Sequence, residues 1–139
     1  MTVDLFAGLP VGDYQRALAW YERLLGSEPT FLPNPTEAVW ELAEHRYLYI
    51  EELPERAGHG LHTVFVDDLD ERVESISARG IEPASRETYG NGVRKVIYRD
   101  PTAMRSASAV LRSSDWRVRL RQVRTMCIDT GPRSSFEGE

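Results

Sequence analysis

Three side chains with binding chemistry alternate along one short segment of the chain. In Tyr47-Leu48-Tyr49-Ile50-Glu51 the tyrosines and the glutamate occupy every second position, so a β-strand places them on one face and the two aliphatic residues on the other. If Leu48 and Ile50 pack in the core, Tyr47 and Tyr49 line a cavity with apolar rings that carry hydroxyls, a usual composition for a small-molecule pocket. Glu51 is then either a cavity carboxylate or an exposed acid at the strand end.

A second strand adds a cation and a phenol. Arg94 and Tyr98 share one face of the predicted strand 93–98, because side chains four residues apart on a strand point the same way. The alternative for Arg94 is a solvated strand charge. The predicted ligand-binding set is Tyr47, Tyr49, Glu51, Arg94 and Tyr98. No arrangement of nucleophile, base and orienting group is recognisable, so no catalytic residue is assigned.

The elements that carry these residues belong to a repeat. A strand ending in Val-x-Asp leads into a helix that ends in Gly-x-Glu-Pro, first at 11–29 and again at 66–83. Asp13 and Asp68 are predicted N-caps, and Gly26 and Gly80 are predicted stops. The apolar stripes are Tyr14, Ala17, Leu18, Tyr21 and Leu25 in the first helix, and Leu69, Val73 and Ile76 in the second. Trp20 lies off the first stripe and is predicted to form a contact surface.

A hairpin follows the first helix, with strands 38–42 and 47–51 around the polar turn Glu44-His45-Arg46. Trp40 is expected in the core and His45 in solvent. In the second copy, the strand 93–98 should be followed by a partner near Pro101, but the strand alternation stops at Thr102.

The sequence of these elements resembles the glyoxalase, bleomycin-resistance and extradiol-dioxygenase superfamily, also called vicinal oxygen chelate. The resemblance rests on P-V-x-D at 10–13, the helix R-A-L-A-W-Y-E-R-L-L-G at 16–26, V-F-V-D-D-L-D at 64–70 and V-I-Y-R-D-P at 96–101. It implies an α+β fold in which two βαβββ modules, about 1–56 and 57–101, form a curved mixed sheet around a cleft. It also implies a small-molecule ligand and a homodimer.

Metal-dependent members of that family carry His, Glu or Gln on the first strand of each module. Matched residue by residue, these positions fall on Phe6 and Leu61, which cannot bind a metal, and the acid position of the first module falls on Glu51. The resemblance therefore implies no metal and no cofactor. His62, with His59 nearby, is either a displaced metal site or a histidine that faces a helix or solvent, because its position is one residue away from the cavity-facing register.

The family usually continues D-G-N and a final strand where this chain has Thr102-Ala103-Met104. Restoring one G before codon 102 permits D-G-N-E-I-G-F, which is the expected turn and strand. Residues 102–139 are therefore interpreted as an atypical Arg-rich tail, frame-shifted or disordered, and the last strand of the second module as missing or replaced. A missing strand would leave 93–98 with an unpaired edge. The alternative is that the tail is natural and that residues 116–123 form a strand in place of the missing one.

Composition restricts the partners and the location. The chain has 139 residues, of which 41% are hydrophobic, enough for one domain with a core. Residues 1–101 carry 10 basic and 18 acidic side chains, which argues against a nucleic-acid surface. No segment has the length and apolarity of a membrane helix, and the single Cys127 forms no internal disulfide. These features favour a cytoplasmic protein without nucleic-acid or membrane partners.

Three functions remain open at this point. The first is a metal-independent protein that binds a small aromatic or cationic molecule. The second is a metal-dependent lyase, isomerase or dioxygenase that uses Glu51. The third is an inactive product, in which the altered tail removes one wall of the site.

Overall fold

A computed structural model of the chain describes residues 2–90 and 94–101, together with the backbones of Ser108–Ser114 and Val123–Thr130; of Leu61 only the backbone is described. The described residues form two modules that follow each other along the chain. Among them, no helix has the length and apolarity needed to cross a membrane.

The first module consists of β1 (Leu5–Val11), α1 (Tyr14–Leu25), β2 (Phe31–Asn34), β3 (Glu37–Ala43) and β4 (Arg46–Glu52). Its sheet has the order β1-β4-β3-β2, with β1 and β4 parallel and the other pairs antiparallel. The predicted hairpin is thereby confirmed. His45 lies in its turn at φ 63°, a left-handed conformation that non-glycine residues rarely adopt.

The second module consists of β5 (Gly60–Phe65), α2 (Leu69–Ala78), β6 (Ser85–Thr88), β7 (Arg94–Arg99) and β8 (Ser108–Ser114), and β9 (Val123–Thr130) follows it. The sheet order is β5-β8-β9-β7-β6, with further pairings of β5 with β9 and of β7 with β8. The predicted fold class, two βαβββ modules in a mixed α+β structure, is confirmed.

Strand β8 replaces the missing eighth strand. It pairs in parallel with β5 and antiparallel with β7, as β4 pairs with β1 and β3 in the first module. The expectation of an unpaired edge along 93–98 is therefore wrong for the described residues 94–98, because β6 and β8 flank them. Of the alternative strand 116–123, only Val123 lies within the described residues, where it begins β9.

Helix α1 begins and ends as its sequence predicts. The Asp13 carboxylate accepts a hydrogen bond from the Arg16 amide at 3.2 Å, and Gly26 ends the helix at φ 77°, where glycine avoids the steric penalty of a Cβ. Trp20 corrects the predicted contact surface: it is buried in the core, and its ring meets that of Tyr21 edge-on at 4.9 Å. The buried side of α1 therefore extends beyond the predicted stripe.

Helix α2 differs from its prediction at its N-terminus and ends at Gly80 as predicted. Asp68 occupies the N-cap position but makes no side-chain cap hydrogen bond, because its carboxylate accepts from Arg72 Nε at 2.6 Å instead. The C-cap residue is Arg79, followed by Gly80 at φ 90°. Leu69, Val73 and Ile76 are buried as predicted.

Two contacts join the modules on the helix side. The Arg79 guanidinium donates to the carbonyl oxygens of Arg23 and Leu24, so a cation from the second module satisfies acceptors at the C-terminus of α1. The Tyr21 hydroxyl donates to the buried Asp100 carboxylate at 3.0 Å. Burial, followed by the charge of Asp100, raises the pKa of Tyr21 well above its ordinary value, so the phenol remains a donor at neutral pH.

Candidate ligand-binding face

The sheet of the first module has one face that packs on the core and one that does not. Leu9, Val11, Leu48 and Ile50 are buried in the core cluster that includes α1. Because strand side chains alternate, the residues between them point to the other side of the sheet. We call this side the open face; it carries Phe6, Gly8 and Pro10 of β1, Tyr47, Tyr49 and Glu51 of β4, and Glu37, Val39 and Glu41 of β3.

The registers arrange these residues in rows across the strands. Phe6 lies beside Tyr47 and Tyr47 beside Glu41. In the next row Gly8, Tyr49 and Val39 are neighbours, and Phe31 of β2 follows Val39. The last row contains Pro10, Glu51 and Glu37. The structure therefore brings the predicted residues Tyr47, Tyr49 and Glu51 together on one face.

Tyr47 forms an aromatic stack with Phe6. Their ring centroids are 4.4 Å apart and the planes are inclined by only 9°, while Phe6 remains 47% exposed. Partial burial, followed by the charges of Glu41 and Asp4, raises the pKa of Tyr47. The stack thus offers an accessible aromatic surface whose hydroxyl remains protonated at neutral pH.

The ring of Tyr49 lies across Gly8. A Cβ at residue 8 would stand 2.5 Å from the Cζ and hydroxyl oxygen of Tyr49, closer than such atoms can approach. Val39, the next residue in the row, is only 1% exposed, and Phe31 beyond it is 44% exposed. Tyr49 therefore rests on the sheet because β1 has no side chain at that point.

Three carboxylates border the aromatic residues. Glu41 lies beside Tyr47, and Glu51 lies beside Glu37. Glu37 accepts a hydrogen bond from the Asn34 amide at 2.8 Å. Within β1 to β4 the sole Lys or Arg is Arg46, which shares the core-facing side with Leu48. The open face of this sheet is therefore aromatic and acidic.

The other two predicted ligand-binding residues lie elsewhere. Arg94 donates to both carboxylate oxygens of Asp70 on α2, at 2.6 and 2.9 Å, and Tyr98 is fully buried in the core cluster. They share one face of β7, as their spacing indicates, but that face packs on α2. The expectation that they line the cavity with the tyrosines is therefore corrected.

The residues of the open face do not fit a divalent metal ion. Phe6, which the resemblance to the family places at a metal-ligand position, has no atom that can bind a metal and stacks on Tyr47. The described residues contain no group of three or more His, Cys, Asp or Glu side chains with metal-site geometry. His62 lines a cavity together with residues of α2 and of the first sheet.

The sequence interpretation missed Gly8 as a contributor to the face, and it considered Phe6 only as a residue that cannot bind a metal. Gly8 and Phe6 matter because of where β1 lies relative to β4, and the parallel register of two strands 41 residues apart leaves no local pattern in the sequence. The absence of a side chain at Gly8, next to alternating apolar residues, was the one available signal.

Comparisons with known proteins agree with this architecture. The sequence profile of the Glyoxalase/Bleomycin resistance protein/Dioxygenase superfamily matches residues 3–105. A crystal structure of a glyoxalase / bleomycin resistance protein from Catenulispora acidiphila shares 55% identity at a TM-score of 0.67, covering 73% of this chain and 91% of that one. None of the curated proteins matches this chain.

A more distant structure is that of lactoylglutathione lyase from Agrobacterium tumefaciens. It has 19% identity and a TM-score of 0.57, and the match covers 74% of this chain and 89% of that one; at this identity it supports the fold alone. The profile match spans more than half of the sequence. The chain is therefore a member of the Glyoxalase/Bleomycin resistance protein/Dioxygenase superfamily.

Proposed function

We propose that the protein binds a small molecule with a flat aromatic body and a positive charge on the open face, without a metal ion and without transforming the ligand. The observation that carries this proposal is the exposed stack of Phe6 on Tyr47 beside the carboxylate of Glu41, with Glu51 two rows away on the same face. Flat rings stack on such a surface, and a cation is attracted to both the ring faces and the acids.

The charge of the face supports a cation over an anion. Each ligand charge near the tyrosine rings would gain about 0.5–1 kcal/mol from a cation–π contact at an exposed site. A nearby carboxylate adds a charge-assisted hydrogen bond. An anionic ligand would instead face Glu37, Glu41 and Glu51 with no Lys or Arg on this side of β1 to β4 to offset them.

We also propose that the protein is a cytoplasmic homodimer in which the partner subunit covers part of the open face. Phe6 and Phe31 expose 47% and 44% of their surfaces on the same side of the sheet, and paired exposed aromatics are typical of interaction surfaces. Light scattering after size exclusion should give twice the mass of one chain. A monomer at micromolar concentration would refute the dimer.

The ligand class can be tested with two flat tricyclic probes of opposite charge. Proflavine, a cation, should bind with one site per chain, whereas anthracene-9-carboxylate should bind at least tenfold more weakly. Both titrations are run with and without EDTA, and the proposal requires that proflavine affinity stay the same. Equal affinity for the two probes would refute the charge preference, and loss of proflavine binding in EDTA would refute metal independence.

A further inference from the structure

The acids of the open face stand at two separate places. Glu41 lies in the row of Tyr47, whereas Glu51 and Glu37 lie beside each other in the row that contains Pro10. These two rows are four residues apart along β4, and a strand advances about 3.3 Å per residue, so about 13 Å separates them. The open face therefore has two negative poles: a near pole at Glu41, beside the aromatic stack, and a far pole at Glu37 and Glu51.

Neither pole is neutralised by a cation among the described residues. The ion pairs in that part of the chain involve other acids, namely Asp4, Glu44, Asp68 and Asp70. At the near pole, burial, followed by the charges of Glu41 and Asp4, raises the pKa of Tyr47, so the Glu41 carboxylate lies within electrostatic reach of the ring. At the far pole, the Glu37 carboxylate accepts from the Asn34 amide at 2.8 Å, which leaves its charge in place. Both poles can therefore attract a cation.

The surface between the poles is mainly aromatic. Phe6 and Tyr47 form the exposed stack at the near end. Tyr49 occupies the next row, with its ring across Gly8, and Phe31 at the end of this row is 44% exposed. A flat ring system that lies along this strip gains stacking surface with each ring that it adds.

We infer that the ligand is an elongated aromatic dication, with one positive charge at each end and the two charges about 13 Å apart, as the spacing of the rows requires. One end lies on Glu41 and the other between Glu37 and Glu51, and flat rings between them cover the tyrosines. This inference rests on the proposed function, because it assigns a second charge and a length to the same ligand. A compact monocation on the aromatic stack contacts only the near pole, since the far pole is two rows away.

The test uses aromatic amidines with one, two or three para-linked benzene rings, each carrying an amidinium at one end or at both ends, titrated calorimetrically into the full-length chain. An amidinium, like a guanidinium, can donate two parallel hydrogen bonds to a carboxylate. For the two longer bodies the second amidinium should raise the affinity about fivefold or more, because charged hydrogen bonds are stronger than neutral ones. For the one-ring body, which is too short to span the rows, the gain should be about twofold or less, the statistical factor for two equivalent ends.

Two neighbouring acids of β4 supply matched variants. Glu51→Gln removes a charge from the far pole. Glu52→Gln removes the same charge from the other side of the strand, where the Glu52 carboxylate accepts a hydrogen bond from the Tyr14 amide at 3.4 Å. Glu51→Gln should lower the gain from the second amidinium about threefold or more and leave the affinity of the monoamidines unchanged, because a single amidinium binds at the near pole. Glu52→Gln should keep the full gain.

Three results decide the matter. The same gain for bodies of every length, or the same gain in Glu51→Gln and Glu52→Gln, would overturn the inference. Proflavine binding without any gain from a second amidinium would also overturn it, while the proposed function would stand. Failure of proflavine and of all the amidines to bind would instead refute the proposed function itself.

Discussion

The ring of Tyr49 lies on Gly8, with the position of a Cβ on residue 8 only 2.5 Å from the tyrosine Cζ. Residue 8 therefore controls where the ring rests, although it has no side chain of its own. Because the blocked atoms belong to the far end of a side chain, the ring can turn away without moving the sheet.

Gly8→Ala should accordingly displace Tyr49 and weaken proflavine binding while changing the free energy of unfolding by less than about 1 kcal/mol. In a Tyr49→Ala background the same substitution should stabilise the protein by about 0.5–1 kcal/mol, because alanine restricts the unfolded chain more than glycine does. A double-mutant cycle by urea denaturation measures the difference. Identical effects of Gly8→Ala in both backgrounds would show that the ring does not rest on Gly8.

Neighbouring residues of β4 should respond in opposite ways to truncation. Leu48→Ala removes a side chain that is 1% exposed and should cost about 2–5 kcal/mol of stability. Tyr49→Ala, on the open face, should cost about 1 kcal/mol yet reduce proflavine affinity. Chemical denaturation and calorimetry on both variants provide the comparison. A loss of several kcal/mol in Tyr49→Ala would place Tyr49 in the core instead.

The two faces of β4 could be predicted from the sequence. Aliphatic residues on a half-buried strand face the core, so Leu48 and Ile50 identify the core-facing side. The residues that alternate with them, Tyr47, Tyr49 and Glu51, therefore lie on the other side. The two ends of helix α1 could be predicted as well, since Asp13 and Gly26 act through local hydrogen bonds and backbone conformation. These features depend only on residues close in sequence.

The sequence did not predict that the face of β7 that carries Arg94 and Tyr98 packs inside the protein. Their strand alternates just as β4 does, but Arg94 gains a bidentate pair with Asp70, which is 24 residues away, and no local pattern records that contact. Trp20 was misplaced for a similar reason: its burial depends on how the core packs around α1. In both cases the position of the side chains depends on tertiary contacts that leave no local pattern in the sequence.

Tyr98→Phe tests the corrected position of Tyr98. Its hydroxyl is buried and has no hydrogen-bond partner among the described residues, so its removal should leave stability unchanged or raise it by about 1 kcal/mol. Proflavine affinity should not change. A lower affinity in Tyr98→Phe would return this residue to the binding site.

The stability of the wild type and that of Tyr98→Phe should depend differently on pH. Burial, the largest cause, raises the pKa of Tyr98 from 10.0 to about 12, so folding favours the neutral phenol. The stabilisation of the folded state by the neutral phenol is complete below pH 10 and is lost as pH rises toward about 12. The wild type should therefore lose stability relative to Tyr98→Phe across this interval, measured by urea denaturation at each pH. Parallel curves for the two proteins would contradict a buried neutral phenol.

The change of pattern at Thr102 predicts a specific DNA sequence. The profile match ends at residue 105, and the relative at 55% identity is matched over 91% of its length by only 73% of this chain. We expect genomic DNA to show AGR at Arg105 and TCN at Ser106, so that one inserted G restores D-G-N-E-I-G-F. CGN at Arg105 or AGY at Ser106 would rule out the frameshift.

If the codons agree, the repaired protein should have a higher melting temperature than the 139-residue chain, because the family's own strand would replace β8. Equal melting temperatures and equal monodispersity would show that Ser108–Ser114 completes the sheet as well as the restored strand does.

The binding role of the Phe6–Tyr47 stack is tested most directly by one calorimetric titration of proflavine into the wild type, Tyr47→Ala and the control Tyr89→Ala, whose half-buried ring belongs to the second module and lies outside the open face. Loss of a stacking surface costs about 1 kcal/mol or more, so Tyr47→Ala should bind at least fivefold more weakly, while Tyr89→Ala should match the wild type. Undiminished proflavine binding by a folded Tyr47→Ala protein would contradict the proposed site.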